Sequence, residues 1–442
     1  MLIFKQKDSA YKNEGVNRMK KFLALLFVSL LVLSACSSGS SSEADADTND
    51  IKVWAWDPNF NIKAAELAKT AYQEENSELN IEIIEYAQDD IIQKLNTSLS
   101  SGTTKGLPNV VLIEDYRAQS FLQSYPDMFY AVDDAISIDD FAKYKQPPTS
   151  FEGKQYGVPF DSGVAGLYVR TDYLEEAGYS IDDLQDADWE KVIEIGTAVK
   201  DATGKQMITQ DPKDLGLLRM MIQTSGAWYL EEDGVTPNIA NNDALKEAFR
   251  LYKEMIDADL VKPHADWSQY IATINNGDIS MLPSGNWITP SVKAEASQSG
   301  KWAVAPFPKL PGMDSVNASN LGGSSWYVLN IPGKEKAAEF LGQTFGADVD
   351  FHQQFVEEVG GVGTYQPAAE GEAYQAEDEF FGGQKIMSDF AAWTEEIPQV
   401  NYGLHTYVIE DILANEIQKY LQGEDLDTVM ENAQSLAEQQ AK

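Results

Sequence analysis

Two short stretches set carboxylates beside aromatic rings, Trp56-Asp57 and Glu114-Asp115-Tyr116. An ionised carboxylate accepts hydrogen bonds through two oxygens, and an aromatic ring offers a flat apolar face. Together they suit a site that grips hydrogen-bond donors at its edge and covers an apolar surface. For each acid taken singly, the alternative is a helix N-cap or a solvated loop. Metal and nucleophile chemistry find less support. His264, His352 and His405 are far apart and lack the local spacing of a metal site. No Gly-x-Ser-x-Gly, His-Glu-x-x-His or Walker A pattern occurs, and Gly361-x-Gly363 lacks the third glycine of a dinucleotide loop. Asp45-x-Asp47-x-Asn49 begins like a calcium loop, but its sixth position is Asp50, not Gly, and its twelfth is Trp56, not Glu. No metal or cofactor is expected.

The elements that must carry these residues alternate. Residues 51–56 alternate in polarity as a strand does, 62–72 repeat apolar residues at helical spacing, and 79–86 return to strand character, which makes a βαβ unit. A helix over 90–99 then leads through a Gly/Pro turn into Val110-Val111-Leu112-Ile113, an apolar run typical of a buried parallel strand. This order implies an open α/β sheet, whose ligands bind at the carboxyl ends of strands. Trp56-Asp57 and Glu114-Asp115-Tyr116 fall at two such ends. Two extended runs around residues 153–170, broken by Pro and Gly, read as a crossing between lobes with Asp161 at the break. Residues 189–281 are mainly helical, WAVAPF (302–307) and SWYVL (325–329) are strand-like, and a final helix spans 407–421 with Gly423 as its stop. Trp189, Trp302 and Trp326 are expected in the core.

Seventy acidic residues against 33 basic give a formal charge of −37. That balance disfavours nucleic acid and anionic membrane surfaces as partners, while 43% hydrophobic and 11% aromatic residues suffice for large cores. Residues 19–36 (MKKFLALLFVSLLVLSAC) read as an export signal: Lys20 and Lys21 lead, an apolar run follows, and Ser34-Ala35 precede a cut. Leu33-Ser34-Ala35-Cys36 resembles the bacterial lipobox, whose cysteine is diacylated and becomes the mature N-terminus. Cys36 is the only cysteine of the chain, so it forms no internal disulfide. A leader beginning at Met19 is complete without the first 18 residues, which points to Met19 as the start. Without residues 1–35, which hold six basic and two acidic side chains, the charge becomes −41. Residues 36–50 read as a flexible tether. The length that remains suggests two domains.

The order of parts resembles the family 1 extracellular solute-binding proteins, receptor subunits of bacterial carbohydrate ABC importers, across essentially the whole mature chain. The matching segments are Trp54-Ala55-Trp56-Asp57, YGVPFDSGVAGLYVR (156–170), MLPSGNW (281–287), KWAVAPFPKL (301–310), GGSSW (322–326) and IPQVNYG (397–403). The resemblance implies a type II periplasmic-binding-protein-like fold: two α/β lobes, three chain crossings, and a ligand cleft that closes between the lobes. The crossings are expected near Asp161, near 302–307 and near 364–367. Lobe 1 is then 51–160 plus 303–365, and lobe 2 is 161–302 plus 366–442.

A sugar ring has a hydroxylated edge and an apolar C–H face, which carboxylates or amides and aromatic rings can match. Carried over from the resemblance, the expected ligand contacts are Trp56, Asp57, Asp115, Asp161, Trp228, Trp287 and Tyr402, with Trp267, Gly323, Ser324, Tyr365 and His405 as second choices. The implied ligand is a short oligosaccharide, galactoside- or arabinoside-like. The implied partners are membrane permease subunits and, through Cys36, the outer face of the cell membrane, with the protein a monomer and not an enzyme. The rival readings are an exported glycosidase, which would make Asp115 and Asp161 catalytic, and a sugar-sensing surface lipoprotein.

Overall fold

The computed structural model describes residues 48–440. The expected leader, Cys36 and most of the expected tether lie outside these residues. Of the tether's last residues, Asp50 already opens the first strand.

The chain lays down eight principal strands: β1 (Asp50–Ala55), β2 (Asn80–Glu85), β3 (Val110–Glu114), β4 (Gly157–Asp161), β5 (Ala165–Arg170), β6 (Met281–Gly285), β7 (Trp302–Pro306) and β8 (Ser324–Val328). They form two sheets. The first has the order β2-β1-β3-β8-β4 and the second β6-β5-β7. In the first, β1 runs parallel to β2 and β3, whereas β8 runs antiparallel to β3 and β4. Helices α1 (Asn61–Gln73), α2 (Gln88–Ser100) and α3 (Asp115–Ser124) follow the first three strands. They cover both faces, so β1 is buried on both sides. Val53 packs in the cluster that holds Ala64, Ala68 and Tyr72 of α1, and Trp54 in the one that holds Ile91 and Leu95 of α2.

The second lobe is largely helical. It contains α4 (Trp189–Thr203), α5 (Gly216–Gln223), α6 (Asp243–Asp257), α7 (Trp267–Asn275), α8 (Thr406–Leu421) and α9 (Leu426–Gln440). Helix α9 extends the chain beyond the helix expected to be last. Asp188 caps α4 by accepting from the Lys191 N–H, and Gly204 ends it with a left-handed φ of 72°. Trp189, Trp302 and Trp326 are all fully buried, as expected.

Three stretches run side by side between the sheets. Ser162 N–H donates to Val362 O, and Thr364 N–H to Phe160 O; on the other side Leu321 N–H donates to Gly163 O. The expected crossing near 302–307 is displaced. Trp302–Pro306 is a full strand paired to β5 in the second sheet, and the passage back to the first sheet falls later, ending at Ser324 in β8. Pro306 sits as the last residue of an edge strand, where a missing N–H does no harm.

Candidate functional site

Beside the second sheet lies a cavity of about 220 Å³, below the ~300–1,000 Å³ usual for drug-sized ligands. Its aromatic wall is Trp267, Tyr270 and Trp287. Asp266 caps α7 by accepting from Gln269 N–H at 2.9 Å, which fixes Trp267 in the first turn and Tyr270 one turn on, on the same helix face. Their rings stand 5.3 Å apart, and Trp267 and Trp287 6.0 Å apart with 36° between planes. Trp267 is 56% exposed, unusual for so large an apolar side chain. Trp287 follows β6 in a short turn, and its indole N–H donates to Leu321 O at 2.7 Å. A Cβ at Gly285 would collide with that indole and that carbonyl, which is why glycine precedes it.

Asp211, Asp214 and His264 supply polar edges. Asp211 Oδ1 accepts from Lys213 N–H at 2.9 Å and Asp214 Oδ1 from Gly216 N–H at 2.8 Å, and among the described residues neither second oxygen accepts a hydrogen bond. His264 Nδ1 lies 2.9 Å from Thr209 Oγ1, whose single proton goes to Lys262 O. The imidazole must therefore donate from Nδ1 and present Nε2 as a bare acceptor. Burial lowers its pKa, against the pull of Asp211, Asp214 and Asp266, so the ring is neutral at pH 7. Among the described residues, no Lys or Arg lines the cavity. Rings for an apolar face and acceptors for hydroxyl donors suit a neutral, hydroxyl-rich ring.

Of the expected contacts, Trp267 and Trp287 line this cavity; the others stand elsewhere. Asp115, Asp161, Gly323 and Ser324 converge at the crossings around Lys145, whose side chain is wholly buried. Lys145 Nζ donates to Asp115 Oδ2 at 2.5 Å, Asp161 O at 3.0 Å and Ser324 O at 2.8 Å. Asp115 Oδ1 accepts from Ser325 Oγ, and Asp161 Oδ1 from the N–H and Oγ of Ser324. Burial pushes Asp115 up to about 6, against the opposing pull of Lys145, and raises Asp161 as well. Both oxygens of Asp115, and Oδ1 of Asp161, are engaged by protein. Trp228 and Tyr402 are buried beside Tyr116, with Trp228 Nε1 donating to Thr406 Oγ1. Trp56 is half-buried between two clusters of the first lobe. Asp57 turns the chain into α1 at a φ of 58°, its Oδ1 accepting from Asn59 N–H. Tyr365 stacks on His352, and His405 precedes α8.

Asp211, Asp214, Asp266, His264, Tyr270 and Lys145 were not singled out as ligand or hinge residues from the sequence. The one available signal was local: Asp266-Trp267 with Tyr270 three residues on is a capped, ring-bearing helix start.

The profile of the bacterial extracellular solute-binding proteins matches residues 68–379. The chain belongs to this family. As an extracellular solute-binding protein it works outside the cytoplasm, and among the described residues no helix is long and apolar enough to cross a membrane. The binding protein is 43% identical over 386 residues to the lactose-binding protein of Rhizobium radiobacter, covering 87% of this chain and 91% of that one. It is 24% identical over 335 residues to the arabinooligosaccharide-binding protein of Halalkalibacterium halodurans, covering 73% of each. The sugar-binding protein MalE of Xanthomonas citri superposes with a TM-score of 0.73 at 17% identity, over 88% of this chain and 98% of that one. The fold is therefore the two-lobed, type II binding-protein fold.

Proposed function

We propose that the protein is the substrate receptor of a carbohydrate ABC importer, that it captures a short galactoside of the lactose class, and that it hands the sugar to membrane permease subunits. The observation that carries this is the Trp267–Trp287–Tyr270 wall facing open acceptors on Asp211, Asp214 and His264. A galactoside presents an apolar C–H face to such rings and hydroxyl donors to such acceptors. The 43% identical lactose-binding relative, matched over nearly its whole length, favours galactosides over arabinosides, whose binding relative stands at 24%. The cavity's size suits one end of the sugar, with the rest running out along its opening. The other ligand contacts carried over from the resemblance, Trp56, Asp57, Asp115, Asp161, Gly323, Ser324, Trp228, Tyr402, Tyr365 and His405, are proposed to act in a more open state or through the hinge. The receptor is not an enzyme, acts as a monomer, and is held at the outer face of the cell membrane through lipid on Cys36.

Isothermal calorimetry with lactose, β-galactobiose and arabino-oligosaccharides, with chromatography of the recovered sugar, tests the reading. Micromolar binding of a galactoside, about −8 kcal/mol, with the sugar intact supports it. Binding of arabino-oligosaccharides alone would replace the ligand class, and cleaved sugar would replace the receptor with a hydrolase.

A further inference from the structure

Tyr116 joins the two lobes in a way the known role of the family does not explain. It stands at the start of α3, whose residues Ala118, Phe121 and Leu122 pack within the first lobe. Tyr116 itself is 2% exposed and packs into the helical core of the second lobe; among the described residues, no other buried member of that cluster precedes Ala165. Its ring stacks 5.8 Å from Trp228, with 11° between planes, and meets Tyr402 edge-on at 4.5 Å. The Arg219 guanidinium sits 4.3 Å from the ring centre, held in place by two bonds to Glu410 at 2.8 and 2.9 Å. Its hydroxyl donates to Asn320 O and accepts from Gly322 N–H, both on the returning crossing. The neighbours of Tyr116 reach across too. Tyr407 Oη donates to Glu114 Oε2 at 2.6 Å, and Arg117 lies 4.0 Å over the Tyr407 ring.

The ring and cation contacts of Tyr116 and the two contacts of Tyr407 pair the first lobe with α5, α8 or a loop of the second, while the Tyr116 hydroxyl bonds tie it to the returning crossing and the Arg219–Glu410 pair lies within the second lobe. The contacts that bridge the lobes are made only when the lobes are together, so they bias the closed state. Beside Tyr402 Oη, to which Gln223 Nε2 and Asn320 Nδ2 both donate, Gln223 Oε1 and Asn320 Oδ1 are buried with no partner. Two buried acceptors left unpaired are costly, and hydroxyl donors would satisfy them.

We propose that Glu114, Tyr116 and Arg117 form a clasp with Arg219, Trp228, Tyr402 and Tyr407 that holds the lobes together before ligand arrives, with Tyr116 occupying the Trp228–Tyr402 box in place of a ligand ring. A ligand reaches that box only after the clasp opens. The clasp residues lie outside the Trp267–Trp287 cavity, so the resting balance of open and closed forms is tuned by side chains separate from that wall.

The test is small-angle X-ray scattering of the full chain with no sugar added, comparing the wild type with Tyr116→Ala, Glu114→Gln and Tyr407→Phe. Circular dichroism checks the fold of each. A compact wild type and a Tyr116→Ala variant whose closed-to-open ratio falls about tenfold or more, seen as a larger radius of gyration, support the clasp. Tyr407→Phe and Glu114→Gln should expand the molecule less. A ligand-free wild type already as expanded as Tyr116→Ala overturns the proposal, and so do variants that all stay as compact as the wild type. If Tyr116→Ala loses its native dichroism, the two conservative variants decide: both expanded supports the clasp, both compact overturns it. Because no sugar enters the experiment, its result stands apart from the identity of the ligand.

Discussion

Lys145→Met should destabilise the protein by about 4 kcal/mol at pH 7, and the deficit should shrink in acid. Lys145 is wholly buried, and its three ammonium protons go to Asp115 Oδ2, Asp161 O and Ser324 O. Methionine keeps most of the side chain's length as an apolar stem but supplies none of these donors. Burial already holds Asp115 near 6, above its ordinary 3.8, while Lys145 pulls the other way. Without the ammonium the carboxyl rises further and folds protonated at pH 7. At 1.36 kcal/mol per pH unit, that protonation costs about 4 kcal/mol against roughly 3 for the wild type, a difference of about 1. Two buried carbonyls also lose their donor, at ~1–3 kcal/mol each. The total falls within the ~3–5 kcal/mol typical of broken buried ion pairs.

The pH dependence follows from the sign of the shift. The folded pKa of Asp115 lies above the unfolded one, so its contribution to stability is full below 3.8 and is lost as pH rises through about 6. In Lys145→Met the loss continues past 6, because the folded pKa is higher still. The two proteins therefore converge as pH falls, and about 1 kcal/mol of the deficit should vanish between pH 7 and pH 5. Urea unfolding at pH 5, 6 and 7, read at constant m-value, measures this. A deficit under about 1 kcal/mol at pH 7, or one that is equal at pH 5 and pH 7, would refute the assignment of Lys145 as the tie among three segments.

Trp267→Ala should weaken galactoside binding by roughly tenfold in calorimetry while moving the melting temperature little, because that ring is mostly solvent-exposed. Trp287→Ala should weaken binding and also lower the melting temperature, since Leu321 O loses its donor. Galactoside affinity should be flat from pH 8 down to the ordinary histidine value near 6.5. It should then fall at a pH below that, as His264, whose pKa burial lowers, charges and loses its Nε2 acceptor; His264→Asn should remove that dependence in the same titration. Gly323→Ala should cost about 1–3 kcal/mol in urea unfolding, because the residue holds a φ of 86° and its Cβ would press 3.1 Å from Asp115 Oδ2.

The first lobe was largely legible because its signals are local. The alternation of β1, the helical spacing of α1 and the apolar run of β3 each reflect how one element is covered, and the structure places them where those patterns indicate. The second crossing was not legible, since a terminal proline looks the same in a linker and at the end of an edge strand. Lys145 was not legible either. A lysine in FAKYKQPPT carries no mark of burial, and lysines are almost never buried unless paired. Its partner is 30 residues away and the two carbonyls it binds are at 161 and 324, so only the assembled crossings reveal it.

The same logic separates carboxylates that hold the molecule from those that face the cavity. Composition cannot do this in a chain with 70 acids. The distinction lies in what each oxygen has already accepted. Asp115 and Asp161 accept from side-chain donors within a buried knot, and at the crossings they tie together strands of the first sheet and the returning chain. Asp211 and Asp214, which line the cavity, each accept one backbone N–H at Oδ1, which fixes the carboxylate without neutralising it. A carboxylate held this way is preorganised and still free to take a hydroxyl proton, which is what a receptor needs to bind tightly without first breaking a bond of its own. Asp115 would have to surrender Lys145 or Ser325 to do the same, whereas Asp161 is held through Oδ1 alone. For Asp115 that exchange gains nothing unless lobe opening has already broken those bonds.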